Sequence, residues 1–233
     1  MSVYYSDDLV TLYHGRCQDI LPTIPSGSVD ALVTDPPYGM SFRSNRRTAT
    51  EKFDAIDGDD TVDAMSWFPE AWRTLRDGGA AYVSTRWDVF PIWVEQMRPV
   101  AECRNVIVWS KGGGGTGDLA GDYAPEHELI MYLPKGRHLL RGRRISNVWQ
   151  VPKDPPSSYE HPTQKPVSLM GRAVSKSTDH GGVVLDPFAG SGSTLRAAAD
   201  LGRKAIGIEV DERYCELIVR RMRQQTLDFG GVA

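Results

Sequence analysis

The sequence has few cysteines, no long apolar run and no surplus of positive charge. Its 233 residues include three cysteines, Cys17, Cys103 and Cys215, which lie far apart and form no C-x-x-C pair. This spacing argues against a zinc site and a disulfide framework, and it suits a reducing cytoplasm. No apolar stretch approaches the ~20 residues that span a bilayer, and residues 1–8 lack the pattern of a signal peptide. We therefore expect a cytoplasmic protein with neither a metal site nor a membrane partner.

The formal net charge of −3 gives the protein as a whole no field that attracts nucleic acid. Contacts with phosphates must then come from local basic clusters, and two are present, over residues 43–52 and 135–144. A solvated loop is the alternative for each cluster, but the density of the second favours phosphate contact. The candidates for contact with DNA are Arg43, Arg46, Arg47, Lys135, Arg137, Arg141, Arg143 and Arg144.

Short apolar runs alternate with amphipathic stretches through most of the chain. This alternation predicts a largely parallel sheet with helices on both faces. The run over 128–133 follows a strand over 105–109 with no clear helix between them, so we expect it to be antiparallel, at or near an edge. A helix is predicted over 63–75, with a glycine stop at 78–79. The polar stretch 39–60 has no periodicity and predicts a mobile loop within one domain.

An apolar run over 29–34 predicts a buried strand, and the chain breaks it with Asp35-Pro36-Pro37-Tyr38. Neither proline can donate to a sheet ladder, so these four residues should form a stiff loop at the carboxyl end of the strand. Ligands bind at such ends in open α/β sheets. The Asp35 carboxylate and the Pro36 carbonyl can each accept an N–H, and Tyr38 offers a flat ring. This set suits an amino group on a nucleobase; the alternative is a stiff turn with Tyr38 packed into the core.

A second strand, over 183–185, ends in Asp186 and in a loop that contains Gly190 and Gly192. The glycines let the backbone approach a ligand, and the helix that follows has free N–H groups at its start. The third glycine of a dinucleotide fingerprint is missing, and no Gly-Lys-Ser/Thr is present to grip phosphate. Asp186 would repel a pyrophosphate but attract a cation, and Glu209 at the end of the next strand could hold a ribose. The set suits a positively charged nucleoside such as S-adenosylmethionine; a tight turn with a capping acid is the alternative.

Three motifs, in this order, resemble those of amino-methylating DNA methyltransferases. They are Asp-Pro-Pro-Tyr from residue 35, His-Pro-Thr-Gln-Lys-Pro from residue 161 and Asp-Pro-Phe-Ala-Gly-Ser-Gly-Ser-Thr from residue 186. The catalytic motif precedes the cofactor motif, as in the beta class, and the similarity runs over residues 12–221. The resemblance implies the S-adenosylmethionine-dependent methyltransferase fold, a Rossmann-like α/β domain over 1–233. Its mostly parallel sheet would have seven strands, one of them reversed, with helices on both faces.

The resemblance also implies roles for single residues. Asp35, Pro36, Pro37 and Tyr38 match the catalytic loop. Asp19 matches a position near the cofactor's adenine, and Thr163 and Lys165 match the segment beside its methionine part. The expected contacts with S-adenosylmethionine are Asp19, Asp35, Thr163, Lys165, Asp186, Phe188, Gly190, Gly192, Ser193, Thr194 and Glu209.

The implied reaction is methyl transfer to N6 of an adenine that is flipped out of double-stranded DNA at a specific site. N4 of cytosine is the alternative, although such enzymes more often carry serine at the position of Asp35. Glutamine methylation of a protein is a weaker alternative, because those enzymes carry asparagine there. A catalytically inactive DNA-binding module is the alternative from another class. Only about residues 134–160 are available for target recognition, so a homodimer could help to hold the duplex. Restriction–modification, host regulation and phage self-protection are all compatible with the sequence.

Overall fold

A computed structural model of the protein describes residues 2–38, 65–113, 120–155 and 164–224. Its strands are β1 (Ser2–Ser6), β2 (Val10–His14), β3 (Val29–Thr34), β4 (Leu75–Thr85), β5 (Asn105–Ser110), β6 (His127–Pro134), β7 (Val148–Gln150), β8 (Val183–Asp186) and β9 (Lys204–Glu209). Its helices are α1 (Cys17–Ile20), α2 (Phe68–Thr74), α3 (Phe90–Met97), α4 (Val167–Ser177), α5 (Ser193–Asp200) and α6 (Glu212–Arg223), and a 3-10 turn (Leu21–Thr23) follows α1. The predicted mobile loop 39–60 lies outside the described residues.

The strands form one sheet in the order β1-β2-β9-β8-β3-β4-β6-β5-β7. Strands β2, β9, β8, β3 and β4 are parallel, and β6 runs antiparallel to both β4 and β5. The predicted antiparallel strand is thus confirmed, but it lies inside the sheet, because β5 and β7 continue beyond it. The described part has nine strands where seven were expected. The two that were missed, β1 and β7, are short edge strands that are largely exposed and lack a continuous apolar run.

Helices cover both faces of the sheet, as predicted. Residues of α1, α2 and α3 pack on one face, and residues of α4, α5 and α6 pack on the other. Side chains of β3 alternate between the two layers, with Val29 and Leu32 on the first face and Ala31 and Val33 on the second. A strand that is buried on both faces needs apolar residues at nearly every position, which explains its uninterrupted apolar run. None of the helices in the described ranges has the length and apolar character needed to cross a bilayer.

The connections diverge between β3 and β8, which are neighbours in the sheet. From β3 the chain passes to β4 on one side, and from β8 it passes to β9 on the other. In open α/β sheets the crevice at the carboxyl ends of such a strand pair is where ligands bind. Asp35 directly follows β3, and Asp186 is the last residue of β8. The topology therefore brings the two predicted ligand-binding loops to one crevice.

The glycine pair after α2 does not act as the predicted helix stop. Helix α2 ends at Thr74, and β4 begins directly at Leu75 and runs through both glycines. A β-carbon on Gly79 would lie 2.7 Å from the carbonyl oxygen of Asp30 in β3. Gly78 has a φ of +76° and donates its N–H to the Lys135 carbonyl at 2.8 Å. The glycines therefore permit close approach of neighbouring strands, and the prediction was wrong because sequence alone does not reveal that approach.

Two glycine substitutions should change stability in opposite directions. Gly79→Ala should lower the free energy of unfolding by about 1–3 kcal/mol, because the new methyl group meets backbone atoms that cannot yield. Gly171→Ala, inside α4, should raise it by about 0.5–1 kcal/mol through helix propensity. Its β-carbon would make ordinary contacts of 3.7 Å with Leu201 and 3.8 Å with Ala197. Denaturant unfolding followed by circular dichroism measures both, and a stable Gly79→Ala variant would contradict the strand contact.

Candidate active site

The loop that follows β3 is held by its own side chains and by a lysine from elsewhere in the chain. Asp35 Oδ1 accepts a hydrogen bond from the Tyr38 hydroxyl at 2.8 Å, and Oδ2 accepts one from Lys165 Nζ at 2.7 Å. The Tyr38 ring packs at a tilt on the buried Trp93 of α3, with 5.7 Å between ring centroids. A carboxylate oxygen has two lone pairs, so each oxygen of Asp35 can accept a further hydrogen bond from a ligand.

Lys165 lies between two carboxylates. Its Nζ is 2.7 Å from Asp35 Oδ2 and 3.1 Å from Glu128 Oε2, while Glu128 Oε1 is 2.6 Å from Lys111 Nζ. The side chains of Lys165 and Lys111 are 7% and 8% exposed. These distances join four charged groups, and the sign alternates from one group to the next.

Burial and the neighbouring charges act in opposite directions on Glu128, Lys165 and Asp35. Burial raises the pKa of Glu128, but the Lys165 and Lys111 ammonium groups outweigh it and hold that pKa at about 2. Burial lowers the pKa of Lys165, yet Asp35 and Glu128 raise it well above its usual value. For Asp35 burial dominates and raises the pKa, while Lys165 opposes the rise. Lys165 therefore favours the charged form of the half-buried Asp35, which can accept hydrogen bonds.

Asp186 ends β8 beside this group. It is 3% exposed, and its Oδ1 accepts hydrogen bonds from Thr34 Oγ1 at 2.7 Å and from the Phe188 backbone N–H at 3.1 Å. Burial raises the pKa of Asp186 to about 7, although both hydrogen bonds oppose the rise and Asp35 adds to it. A nearby cation favours the charged form of such a carboxyl group. Asp186 is therefore suited to a positively charged ligand.

The glycine loop after β8 is closed by Glu209 at the end of β9. Gly190 has a φ of +52°, and its N–H donates to Glu209 Oε2 at 2.7 Å. Glu209 Oε1 accepts from the Asp211 backbone N–H at 2.9 Å. Gly192 precedes α5 with a φ of +77°, and a β-carbon there would lie 2.9 Å from Ile218 in α6. Glycine is required at 192 both for this backbone conformation and for the packing of α6.

A cavity lies between the ends of β3 and β8. It is lined by Asp35, Gln164, Lys165, Met170, Asp186, Phe188, Ala189, Gly190, Ser191, Ser193 and Thr194. The side-chain oxygen of Gln164 is buried in this lining and accepts no hydrogen bond from any described residue. A buried acceptor without a donor indicates a ligand that brings an N–H or O–H group. In the described part of the chain, no group of His, Cys, Asp and Glu is arranged to hold a metal ion.

Most of the residues that were predicted to bind the cofactor meet at this cavity. Those that line it are Asp35, Lys165, Asp186, Phe188, Gly190, Ser193 and Thr194. Asp19 is exposed on α1, close to Glu209, because the Gly15 N–H just before α1 donates to the Glu209 carbonyl at 2.9 Å. Thr163, Arg43, Arg46 and Arg47 lie outside the described residues.

Three residues of the site were missed by the sequence reasoning. Gln164 stands next to Lys165 in the His-Pro-Thr-Gln-Lys-Pro motif, so the motif itself carried a signal. Glu128 and Lys111 carry none, because each is a single charged residue at one end of an ordinary strand. Only the antiparallel pairing of β6 with its neighbours brings the first residues of β6 to the edge that holds Asp35.

The basic segment 135–144 lies at the opposite edge of the sheet, where β6 ends. Lys135 Nζ donates to the carbonyls of Trp72 and Leu75 at 3.0 and 2.6 Å, at the junction of α2 and β4. Arg141 pairs with Asp179, which precedes β8. Arg137, Arg143 and Arg144 are exposed on the same side of the sheet. The fold therefore separates these residues from Asp35, and it uses Lys135 and Arg141 for internal contacts.

Comparison with known proteins agrees with this geometry. A family model described as DNA methylase matches residues 29–220. Type II methyltransferase M.HinfI of Haemophilus influenzae is 29% identical over 94% of this chain and 70% of its own length. DNA adenine methyltransferase YhdJ of Escherichia coli (strain K12) is 30% identical over 94% of this chain and 84% of its own. The solved structure of the cytosine-N4-specific PvuII DNA methyltransferase matches with a TM-score of 0.77 and 16% identity, over 97% of this chain and 90% of that one. At that identity the match concerns the fold alone, and it confirms the expected fold class.

Asp186→Asn should stabilise the protein more near pH 8 than near pH 5. The pKa of Asp186 is about 7 in the folded protein and 3.8 in the unfolded chain. Between these values the folded state binds the extra proton, so the stability contributed by this group falls as pH rises through the window. Asparagine keeps the shape of the neutral form and can still accept from Thr34. Thermal unfolding at both pH values measures the effect, with the exposed Asp8→Asn as the matched control. An equal gain in Tm at both pH values would contradict the buried charge.

Proposed function

The chain belongs to the DNA methylase family, and from this membership we propose that it methylates N6 of adenine in DNA. S-adenosylmethionine is the cofactor of this family. The observation that carries the proposal is the buried carboxylate of Asp35, which lines the same cavity as Asp186. This arrangement offers an acceptor for an amino group next to a site that favours a cation.

The cavity fits the chemistry of S-adenosylmethionine. Asp186 favours a positive charge, and the unpartnered oxygen of Gln164 can accept an N–H from an amino acid moiety. We propose that Glu209 holds the ribose hydroxyls through the lone pairs that its backbone partners leave free. When bound, S-adenosylmethionine supplies the methyl group, and the electron pair of the broken carbon–sulfur bond stays on sulfur.

The acceptor loop (residues 35–38) would prepare the nucleophile. The lone pair of an exocyclic amino nitrogen is delocalised into the ring of the base, so the nitrogen attacks poorly. Asp35 and the Pro36 carbonyl are proposed to accept its two hydrogens, which favours a tetrahedral nitrogen with a localised lone pair. Transfer releases one proton from this nitrogen. The contributions are positioning and electrostatic stabilisation, and both are strongest in a site that excludes water.

Tyr38 has two roles in this proposal. Its hydroxyl orients Asp35 through the 2.8 Å hydrogen bond, and its ring offers a face for the base. A base must leave the DNA stack to reach such a pocket, and stacking on an aromatic ring contributes about 1–3 kcal/mol. The carboxylate at position 35 favours adenine over cytosine, as does the likeness to a relative that is named a DNA adenine methyltransferase.

Product analysis tests the proposal directly. Labelled S-adenosylmethionine and unmodified duplex DNA should yield labelled N6-methyladenine when the DNA is digested to nucleosides. Labelled N4-methylcytosine would overturn the assignment of the base, and no label in any DNA would overturn the activity. Asp35→Asn should lower kcat by roughly 10²- to 10³-fold, since the acceptor loses its charge. Binding of S-adenosylmethionine, measured by calorimetry, should stay within about threefold. Retained activity would contradict the role of Asp35.

Trp87 is proposed to contact DNA beside the target base. It follows β4, whose end lies next to that of β3, because Thr34 pairs with Val83. Its side chain is 72% exposed, although tryptophan is normally well buried. An ion pair between Arg86 and Asp88, 2.7 Å long, closes the turn around it. An exposed aromatic ring at the edge where the base must enter is suited to stacking on a nucleobase.

Trp87→Ala should weaken DNA binding by about 5- to 150-fold, the equivalent of one lost stacking contact of 1–3 kcal/mol. The double variant Arg143→Ala/Arg144→Ala is the matched control for charge, because both residues lie at the opposite edge of the sheet. It should leave the affinity and its salt dependence nearly unchanged. Fluorescence anisotropy with a labelled duplex measures each variant. A larger loss in the arginine variant than in the Trp87 variant would show that DNA binds at the other edge.

A further inference from the structure

A line of four charged side chains, of which Lys165 is buried and the other three are half-buried, leads from the acceptor loop to the end of β5. Along this line Asp35 contacts Lys165, Lys165 contacts Glu128, and Glu128 contacts Lys111, at 2.7, 3.1 and 2.6 Å. Their alternating signs give the line a net charge of zero. Glu128 and Lys111 are not among the residues that line the cavity beside Asp186.

We propose that Glu128 and Lys111 are positioning residues for methyl transfer. Glu128 holds the Lys165 ammonium back from Asp35, which leaves Asp35 free to accept the amino group, and Lys111 limits the pull of Glu128 on Lys165. This inference rests on the proposed function. With Glu128 in place, the Lys165 ammonium lies between two anions, 2.7 Å from Asp35 Oδ2 and 3.1 Å from Glu128 Oε2. Without it, the ammonium would turn wholly to Asp35 and occupy the lone pairs that the substrate needs.

Stability alone does not explain the line of charges. Strands β5 and β6 are already joined by a backbone ladder from Asn105 to Ser110, so their pairing does not need these side chains. A buried ion pair is weak evidence for stability, because apolar residues of similar volume often do as well. Glu128 is nevertheless on β6 and Lys111 directly follows β5, where its N–H donates to the Glu126 carbonyl at 3.0 Å. A site that needs its charges at fixed positions is held more precisely by strands than by loops.

Removing either charge should move the titration of Asp35, but in opposite directions. The groups that face Asp35 are Lys165, Glu128, the Tyr38 hydroxyl and Asp186, with Lys111 and Lys153 behind them. Glu128 raises the pKa of Asp35, so Glu128→Gln should lower that pKa. Lys111→Met should raise it, because Glu128 then pulls Lys165 away from Asp35.

The test compares wild type, Glu128→Gln, Lys111→Met and the double variant. The kcat is measured against pH with S-adenosylmethionine and DNA both saturating, so that the profile reports the bound enzyme. We expect Glu128→Gln to lower the plateau of kcat by about 10- to 100-fold, the usual cost of a misplaced reacting group, with KM changed less than about threefold. Its acid limb should move to lower pH, and that of Lys111→Met to higher pH. In the double variant the acid limb should return to the wild-type pH, while the plateau of kcat should stay as low as in Glu128→Gln.

The matched control is Glu95→Gln, which makes the same chemical change at an exposed ion pair on α3. It should change neither kcat nor the limb. If the role of Glu128 were purely structural, activity would fall in proportion to the fall in Tm, and the acid limb would not move. That result would overturn the proposal. So would limbs that move in the same direction in both single variants. If Glu128→Gln does not fold, the Lys111→Met variant alone tests the proposal: a shift of its acid limb to higher pH supports the proposal, and no shift overturns it.

A second readout does not depend on activity. The carbon-13 shift of the Asp35 carboxyl group, assigned by difference from Asp35→Asn, can be titrated in each folded variant. Opposite movements of this titration in Glu128→Gln and Lys111→Met support the proposal even if no DNA is methylated. If the wild-type enzyme methylates DNA but the titration of Asp35 is the same in the variants as in the wild type, this inference is overturned and the proposed function stands.

Discussion

The buried ion pair between Lys165 and Asp35 is the contact on which the rest of the site depends. It joins two segments 130 residues apart, the acceptor loop after β3 and the stretch that leads into α4. Burial favours the neutral form of Asp35 and raises its pKa. Lys165 supplies a positive charge beside Asp35. Glu128 is a second anion next to this ammonium group, so Lys165 does not pair with Asp35 alone. The acceptor function of the loop is therefore a property of several strands.

The parts of the site that could be predicted are those where an apolar run ends in a charged or glycine-containing loop. Asp35, Asp186 and Glu209 each follow or end a buried strand, and parallel strands bring such ends to one edge. The glycine loop was predictable for the same reason, because Gly190 and Gly192 need backbone angles that other residues rarely adopt. In these cases the local sequence carries the physical cause.

The parts that could not be predicted depend on which strands are neighbours. The reversal of β6 carries Glu128 to the edge that holds Asp35 and carries Lys135 to the opposite edge. A dense cluster of basic residues predicts contact with phosphates, yet direction along the sheet decides whether such a cluster can reach the substrate. The exposure of Trp87 is equally invisible in the sequence, because a tryptophan between a strand and a helix is usually buried. Pairing and exposure are both properties of the tertiary fold.

Asp35 and Asp186 meet the same problem of a buried charge in different ways. Asp35 has a resident counterion in Lys165, which opposes the effect of burial on the pKa of Asp35 whether or not a ligand is bound. Among the described residues, the groups that lower the pKa of Asp186 are neutral: the hydroxyls of Thr34 and Thr194 and the Phe188 N–H. Burial nevertheless raises that pKa to about 7. A cationic ligand would shift Asp186 to its charged form, and this gain would add to the affinity for a cation over a neutral analogue. Once its positive charge is lost, the reaction product no longer receives that gain. The contrast between the two carboxyl groups thus suits a permanent acceptor for the amino group and a ligand-dependent charge that favours release of the spent cofactor.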